Sequence, residues 1–154
     1  MLSIDSLTNI LKAKVVIVCV GNIERGDDSF GQCLAGKIKD KTPYEVIDAG
    51  TTPENWTGAI IRSKPDTIII VDAVDFDGEV GEIRLFLGEE LRSGRISTHD
   101  ISLKLLIGYL KESTRADIYV LGIKPGSNKL EEGLTPSVKA SLNNLAKILI
   151  STVK

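Results

Sequence analysis

The sequence predicts one three-layer α/β domain: a mostly parallel sheet of about five strands with an antiparallel element, covered by helices on both faces. Three observations carry this. Five short apolar, β-branched runs, at residues 15–20, 44–48, 67–72, 82–87 and 117–123, read as strands. Stretches with helical spacing alternate with them, the pattern of strands joined by crossover helices. The third run, Thr67-Ile68-Ile69-Ile70-Val71, is continuous rather than alternating, as a central strand covered on both faces must be.

Taken in order, the opening Met1-Leu2-Ser3-Ile4-Asp5-Ser6-Leu7 lacks the basic start and long apolar core of a signal peptide, so a cytoplasmic protein is expected. Ile4, Leu7 and Leu11 share one face of a short helix that would lie on the sheet as a lid. After the first strand, residues 28–40 have helical spacing, and 53–64 open with Pro53, a favoured first-turn residue. Asp77-Gly78 marks a turn between the third and fourth strands, which makes that pair antiparallel. Residues 98–112 place Ile101, Leu105 and Tyr109 on one face. Residues 136–153 place Val138, Leu142, Leu145, Leu149 and Val153 on one stripe, behind a Thr135-Pro136 start signal with Thr as cap. No repeat, low-complexity segment or linker interrupts this order, so residues 1–154 are expected to form one domain.

Composition narrows the function. The 154 residues are 42% hydrophobic and 26% charged with a net charge of −2, ordinary for a globular protein and without the basic stripe of a nucleic-acid binder. Apolar runs are too short to span a membrane. The two cysteines, Cys19 and Cys33, make no CxxC pair and read as packing thiols.

The chemistry concentrates at strand ends, where open α/β sheets bind ligands. The first strand runs into Gly21-Asn22-Ile23-Glu24-Arg25-Gly26-Asp27-Asp28-Ser29-Phe30-Gly31. A glycine-rich turn here normally cradles phosphate through free N–H groups. Two adjacent carboxylates would repel an anion and suit a cation or acid–base work instead. One of Asp27 and Asp28 can cap the following helix; the other is left over. The second strand ends in Asp48-Ala49-Gly50-Thr51, where Asp48 reads as a turn residue bonding its own backbone. Asp72 closes the third strand behind four β-branched residues, so its carboxyl sits at the rim of a buried sheet and needs a donor, a cation or a proton. The only histidine, His99, follows Thr98; with Thr98 as a helix cap, His99 falls in the first turn, where the helix dipole favours neutral imidazole. Asp28, Asp72 and His99 form an oxygen, oxygen, nitrogen donor set that suits zinc, nickel, manganese or iron and leaves positions open. Two neighbouring carboxylates equally permit an aspartic-type mechanism around a shared proton. HExxH and GxSxG are missing, and a Cys–His dyad would pull a cysteine from the core, so a standard zinc, serine or cysteine protease is disfavoured.

These residues resemble the nickel–iron hydrogenase maturation endopeptidases along nearly the whole chain. Gly21-Asn22 with Gly26-Asp27-Asp28 and Gly31 is similar to that family's opening motif. Asp48-Ala49-Gly50-Thr51 with Pro53-Glu54-Asn55, Asp72-Ala73 with Gly81-Glu82-Ile83-Arg84, Ser97-Thr98-His99 with Ser102-Leu103, and Leu121-Gly122-Ile123-Lys124-Pro125 with Leu134-Thr135 follow as four further blocks in the family's order. The Pro53-Glu54-Asn55 and Gly81-Glu82-Ile83-Arg84 variants are most similar to the formate-hydrogenlyase-type branch. Glu24 stands where the family often has an apolar residue, and Ser29 where glycine is common.

The resemblance implies a phosphorylase/hydrolase-like sheet and an endopeptidase that removes the C-terminal extension of a nickel-loaded hydrogenase large-subunit precursor. It implies metal contacts at Asp28, Asp72 and His99, with Asp28 and Asp72 as the catalytic acids. Asp48, Asn22 and Asp27 are carried as substrate or accessory positions. Nickel would come with the substrate, although zinc or another divalent ion would also suit the donors. The expected partner is the precursor, with no nucleic acid and no membrane insertion; a monomer is the simplest expectation. Two other readings remain open from the residues: a non-enzymatic nickel carrier, and another metal-assisted hydrolase on the same fold.

Overall fold

The run Val15–Val20 forms strand β1, and all six residues are buried. Such a strand needs partners on both sides and helices on both faces. The structure, a computed structural model, describes residues 6–11, 13–100, 102–127, 129–130 and 133–151. Around β1 the sheet adds β2 (Glu45–Gly50), β3 (Thr67–Ala73), β4 (Ile83–Leu87) and β5 (Asp117–Ile123), in the spatial order β2-β1-β3-β5-β4. β1, β2, β3 and β5 run parallel, and β4 pairs antiparallel with β5. Each strand lies within two residues of the expected run.

The Asp77-Gly78 expectation needs correcting. β3 and β4 are not hydrogen-bonded neighbours, because β5 inserts between them. The segment after β3 passes over that gap and is tied to β5 through Val74 N–H to Ile123 C=O and Gly81 N–H to Lys124 C=O. The antiparallel element is real, but its partner is the last strand, not the preceding one.

Among the described residues, six helices cover the sheet: α1 (Leu7–Ile10), α2 (Phe30–Ile38), α3 (Thr57–Arg62), α4 (Gly88–Arg92), α5 (Leu103–Ser113) and α6 (Pro136–Ser151). Short 3-10 turns at Gly26–Ser29 and Pro53–Trp56 lead into α2 and α3. Alternate β1 side chains point to opposite faces. Val15, Ile17 and Cys19 pack with α1, α2 and α6, whereas Val16, Val18 and Val20 pack with α3, α4 and α5. The α6 stripe Val138, Leu142, Leu145 and Leu149 is buried as the spacing predicts. Each such side chain contributes about 1.5–3 kcal/mol relative to exposure. Leu7 is likewise buried and Leu11 packs beside it, while Ile4, Ile101 and Val153 lie outside the described residues.

Three sequence expectations change here. α4 was not anticipated; its five residues are too few for a periodic signal. α5 begins at Leu103 rather than near residue 98, because Asp100 accepts from the Ser102 N–H and hydroxyl and turns the chain before the helix. Its buried stripe is Leu103, Leu106, Ile107 and Leu110, and Leu105 and Tyr109 face outward.

Candidate active site

β1, β3 and β5 end on the same side, and their following segments converge there. Gly21 and Gly31 set how closely. A Cβ on Gly21 would lie 2.2 Å from the Asp28 carbonyl oxygen, and one on Gly31 would lie 2.3 Å from the Val20 carbonyl oxygen. Only glycine allows the acidic turn to fold back on β1 and α2 to start directly against the sheet. Asn22 fastens the turn: its N–H donates to the Asp28 carbonyl at 2.9 Å, and its side-chain oxygen accepts from the Glu24 N–H at 3.0 Å.

Neither acid caps a helix; no side-chain cap bond forms at either helix start. Asp27 is fully buried and accepts from the N–H groups of Gly126, Ser127 and Thr135 and from the Thr135 hydroxyl. Thr135 precedes α6 as expected, its carbonyl accepting from the Lys139 N–H, but its hydroxyl is directed to Asp27. Asp27 is thus the structural acid, pinning the segment after β5 to the acidic turn.

Asp28 points the other way. Its Oδ2 lies 2.9 Å from His99 Nδ1. An ionised carboxylate only accepts, so Nδ1 is the donor of this pair. Asp28 Oδ1 is buried without a hydrogen-bond partner among the described residues. His99 reaches it because its loop zips onto the segment after β3: Asp75 and Ser97 exchange backbone hydrogen bonds, Asp75 N–H to Ser97 C=O at 2.7 Å. His99 therefore sits in a loop before α5, not in its first turn, and the helix dipole does not act on it as the sequence suggested.

Asp72 is buried at the end of β3, its Oδ1 accepting from the Ala73 N–H at 2.8 Å. Burial pushes its carboxyl well above the usual range, and the nearby Asp100 and Asp28 charges push in the same direction; the Ala73 N–H and Thr98 hydroxyl oppose them. Asp72 therefore holds its proton to a higher pH than an exposed aspartate does.

A cavity of about 340 Å³ joins these groups, lined by Asn22, Arg25, Asp28, Asp72, His99 and Asp100 among others. Asp28, Asp72 and His99 do share one cavity. Among the described residues, however, no three His, Cys, Asp or Glu side chains are arranged to hold a metal ion together. Asp48 lies elsewhere. It is an exposed residue of β2, not a turn residue, and it lines a neighbouring cavity. Cys19 is buried, and burial first, with the Asp48 charge second, drives its thiol upward, so it is a packing residue.

The family model of the HycI-type hydrogenase maturation proteases matches residues 30–152. The chain belongs to the hydrogenase maturation proteases. The hydrogenase 3 maturation protease of Escherichia coli K12 is 39% identical over 113 residues, covering 71% of this chain and 72% of that protein. The crystal structure of HycI, a [NiFe] hydrogenase maturation protease of Thermococcus kodakarensis, superposes with a TM-score of 0.85 at 33% identity, covering 94% and 96% of the two chains. The solution structure of the endopeptidase HycI from Escherichia coli gives 0.78 at 32% identity, covering 90% of each.

A hydrogenase maturation protease is a peptidase. Two of the cavity's lining residues escaped the sequence reading. Arg25 lines the cavity from the exposed edge of the acidic turn and pairs in a backbone bridge with Leu130. Asp100 both turns the chain into α5 and adds negative charge beside Asp72. Its place next to His99 was the only available signal. Among the described residues of this maturation protease, no helix is long and apolar enough to cross a membrane.

Proposed function

We propose that this maturation protease removes the C-terminal extension of a nickel-loaded [NiFe] hydrogenase large-subunit precursor, using Asp28 and Asp72 as its acid–base pair. The supporting observation is the contrast between the two acids in one cavity: burial makes Asp72 hold its proton more tightly than an exposed aspartate does, while Asp28 accepts a hydrogen bond from His99 Nδ1. Carboxyl groups held in opposite states are what water attack on an amide needs. Asp28 takes a proton from the attacking water as it adds to the scissile carbonyl. Asp72 gives its proton to the departing amine nitrogen as the C–N bond breaks. The products are a new carboxyl terminus and the released extension, with one water consumed.

Nickel belongs to the substrate in this reading. An ion already held by the precursor needs only one or two further donors. His99 and the Asp28 carboxylate, paired at 2.9 Å in the cavity, are suited to that contact, which fixes the scissile bond in place; such positioning lowers the barrier by itself. The test is cleavage of purified large-subunit precursor with and without nickel, the released peptide read by mass spectrometry. Release only from nickel-loaded precursor is expected. Rapid cleavage of metal-free precursor in the presence of a chelator overturns nickel recognition.

A further inference from the structure

Beside the catalytic cavity lies a second, of about 550 Å³, and the two share Asn22 and Thr51 as a common wall. It has no part in the acid–base chemistry. Its walls combine the exposed apolar residues Ile23 and Trp56 with the carboxylates Glu24 and Asp48 and the side chain of Gln32.

Gln32 is the informative member. Among the described residues, two buried side-chain polar atoms lack a hydrogen-bond partner: Asp28 Oδ1 and Gln32 Oε1. They stand four positions apart, Asp28 in the 3-10 turn before α2 and Gln32 within α2; Asp28 lines the first cavity and Gln32 the second. A Cβ on Gly50 would come within 3.1 Å of the Gln32 Nε2, so the amide lies directly against the Gly50 backbone. A buried acceptor with no donor carries a desolvation penalty that an arriving donor removes.

We propose that the second cavity is a peptide-binding subsite continuous with the catalytic one, and that Gln32, half-buried on its wall, anchors it by turning its carboxamide to accept a backbone N–H of the precursor segment flanking the scissile bond. This rests on the peptidase reading above. An extended peptide offers an N–H at every residue but proline, and an apolar side chain for the Ile23–Trp56 wall. Glu24 and Asp48 exclude acidic side chains from the same segment. Gln32 touches the bound segment rather than the reacting atoms, so it governs binding and not the chemical step.

The experiment measures steady-state cleavage of nickel-loaded precursor by the wild-type chain, Q32M and Q32E. Methionine keeps the volume and removes the acceptor; glutamate keeps an acceptor oxygen. Q32M should raise KM about 10-fold with kcat within about twofold, as expected for loss of one buried hydrogen bond to substrate. Its melting temperature should match or exceed that of the wild type, and Q32E should hold KM within about threefold of it. An active wild type with an unchanged KM in Q32M overturns the role of Gln32, leaving an internal water as its partner. A lower melting temperature with equal KM losses in both variants also overturns it, in favour of packing. A wild-type chain inactive on the loaded precursor overturns the peptidase reading itself.

Discussion

Thr135 bonds Asp27 twice, through its backbone N–H at 2.8 Å and its hydroxyl at 3.0 Å, across 108 residues of chain. Gly126 and Ser127 add two more N–H donors at 2.7 and 3.0 Å. One buried carboxylate therefore joins the first strand's turn to the entry of α6. Asp27→Asn removes the charge and turns an N–H donor toward groups that are donors themselves. The expected cost is about 3 kcal/mol, since hydrogen bonds to a charged acceptor are lost and buried N–H groups are stranded. For a chain of this length that lowers the melting temperature by roughly 10 °C. Thr135→Val, which removes one of the four bonds, should cost about 1 kcal/mol. Equal urea midpoints for Asp27→Asn and the wild type would disprove this role.

Asp28 and His99 should behave as one unit. With Nδ1 tied to Asp28 Oδ2, loss of either partner misorients the other. Asp28→Asn and His99→Ala should each reduce cleavage of nickel-loaded precursor at least about 100-fold. The double variant should be little worse than the poorer single one, because groups acting together are not additive. Multiplying effects in the double variant would show two independent contributions instead. Far-UV circular dichroism of each variant should match the wild type.

Asp72 ties activity to a pH-dependent stability defect. Its folded-state proton affinity is raised, chiefly by burial, above the value of about 3.9 for an unfolded aspartate. Between those two values the folded state binds a proton that the unfolded state has released, so this group's contribution falls as pH rises through the window. Asp72→Asn is uncharged at every pH. It should melt above the wild type at pH 7, and its advantage should shrink as pH falls toward 4. Cleavage should drop at least about 100-fold, since the amide cannot protonate the leaving nitrogen. A wild-type-minus-variant stability difference that is flat from pH 4.5 to 8 would refute the assignment.

The strands were legible because a β-branched run needs no distant partner to identify itself, and the α6 stripe because its spacing was long and regular. The failures share a cause. Whether Asp27 or Asp28 is structural depends on Gly126, Ser127 and Thr135, which no local pattern connects to residue 27. The partner of β4 depends on where β5 inserts. On α5, Leu105 and Tyr109 and the Leu103–Leu110 set both have helical spacing, and only the sheet beneath chooses between them. His99 was found for its chemistry, but its position is set by the Asp75–Ser97 bridge rather than by a helix cap.

Two glycines of α2 separate close packing from helix propensity. Gly36 is exposed, and a Cβ there would meet nothing within 4 Å; Gly31, five residues earlier, would place its Cβ 2.3 Å from the Val20 carbonyl oxygen and 3.0 Å from that of Val71. Gly36→Ala should stabilise the protein by about 0.5–1 kcal/mol, because alanine removes the entropic cost of glycine within a helix. Cleavage should be unchanged. Gly31→Ala must push α2 off β1 and β3, which a rigid backbone neighbour resists, and a loss of at least about 3 kcal/mol is expected from such overpacking. That shift also moves Asp28, two residues before the helix starts, away from His99. Gly31→Ala should therefore lose cleavage even at a temperature where it remains folded, whereas Gly36→Ala should not. Equal stabilities and activities for the two variants, measured by urea unfolding and precursor cleavage, would mean that α2 does not depend on close approach to the sheet.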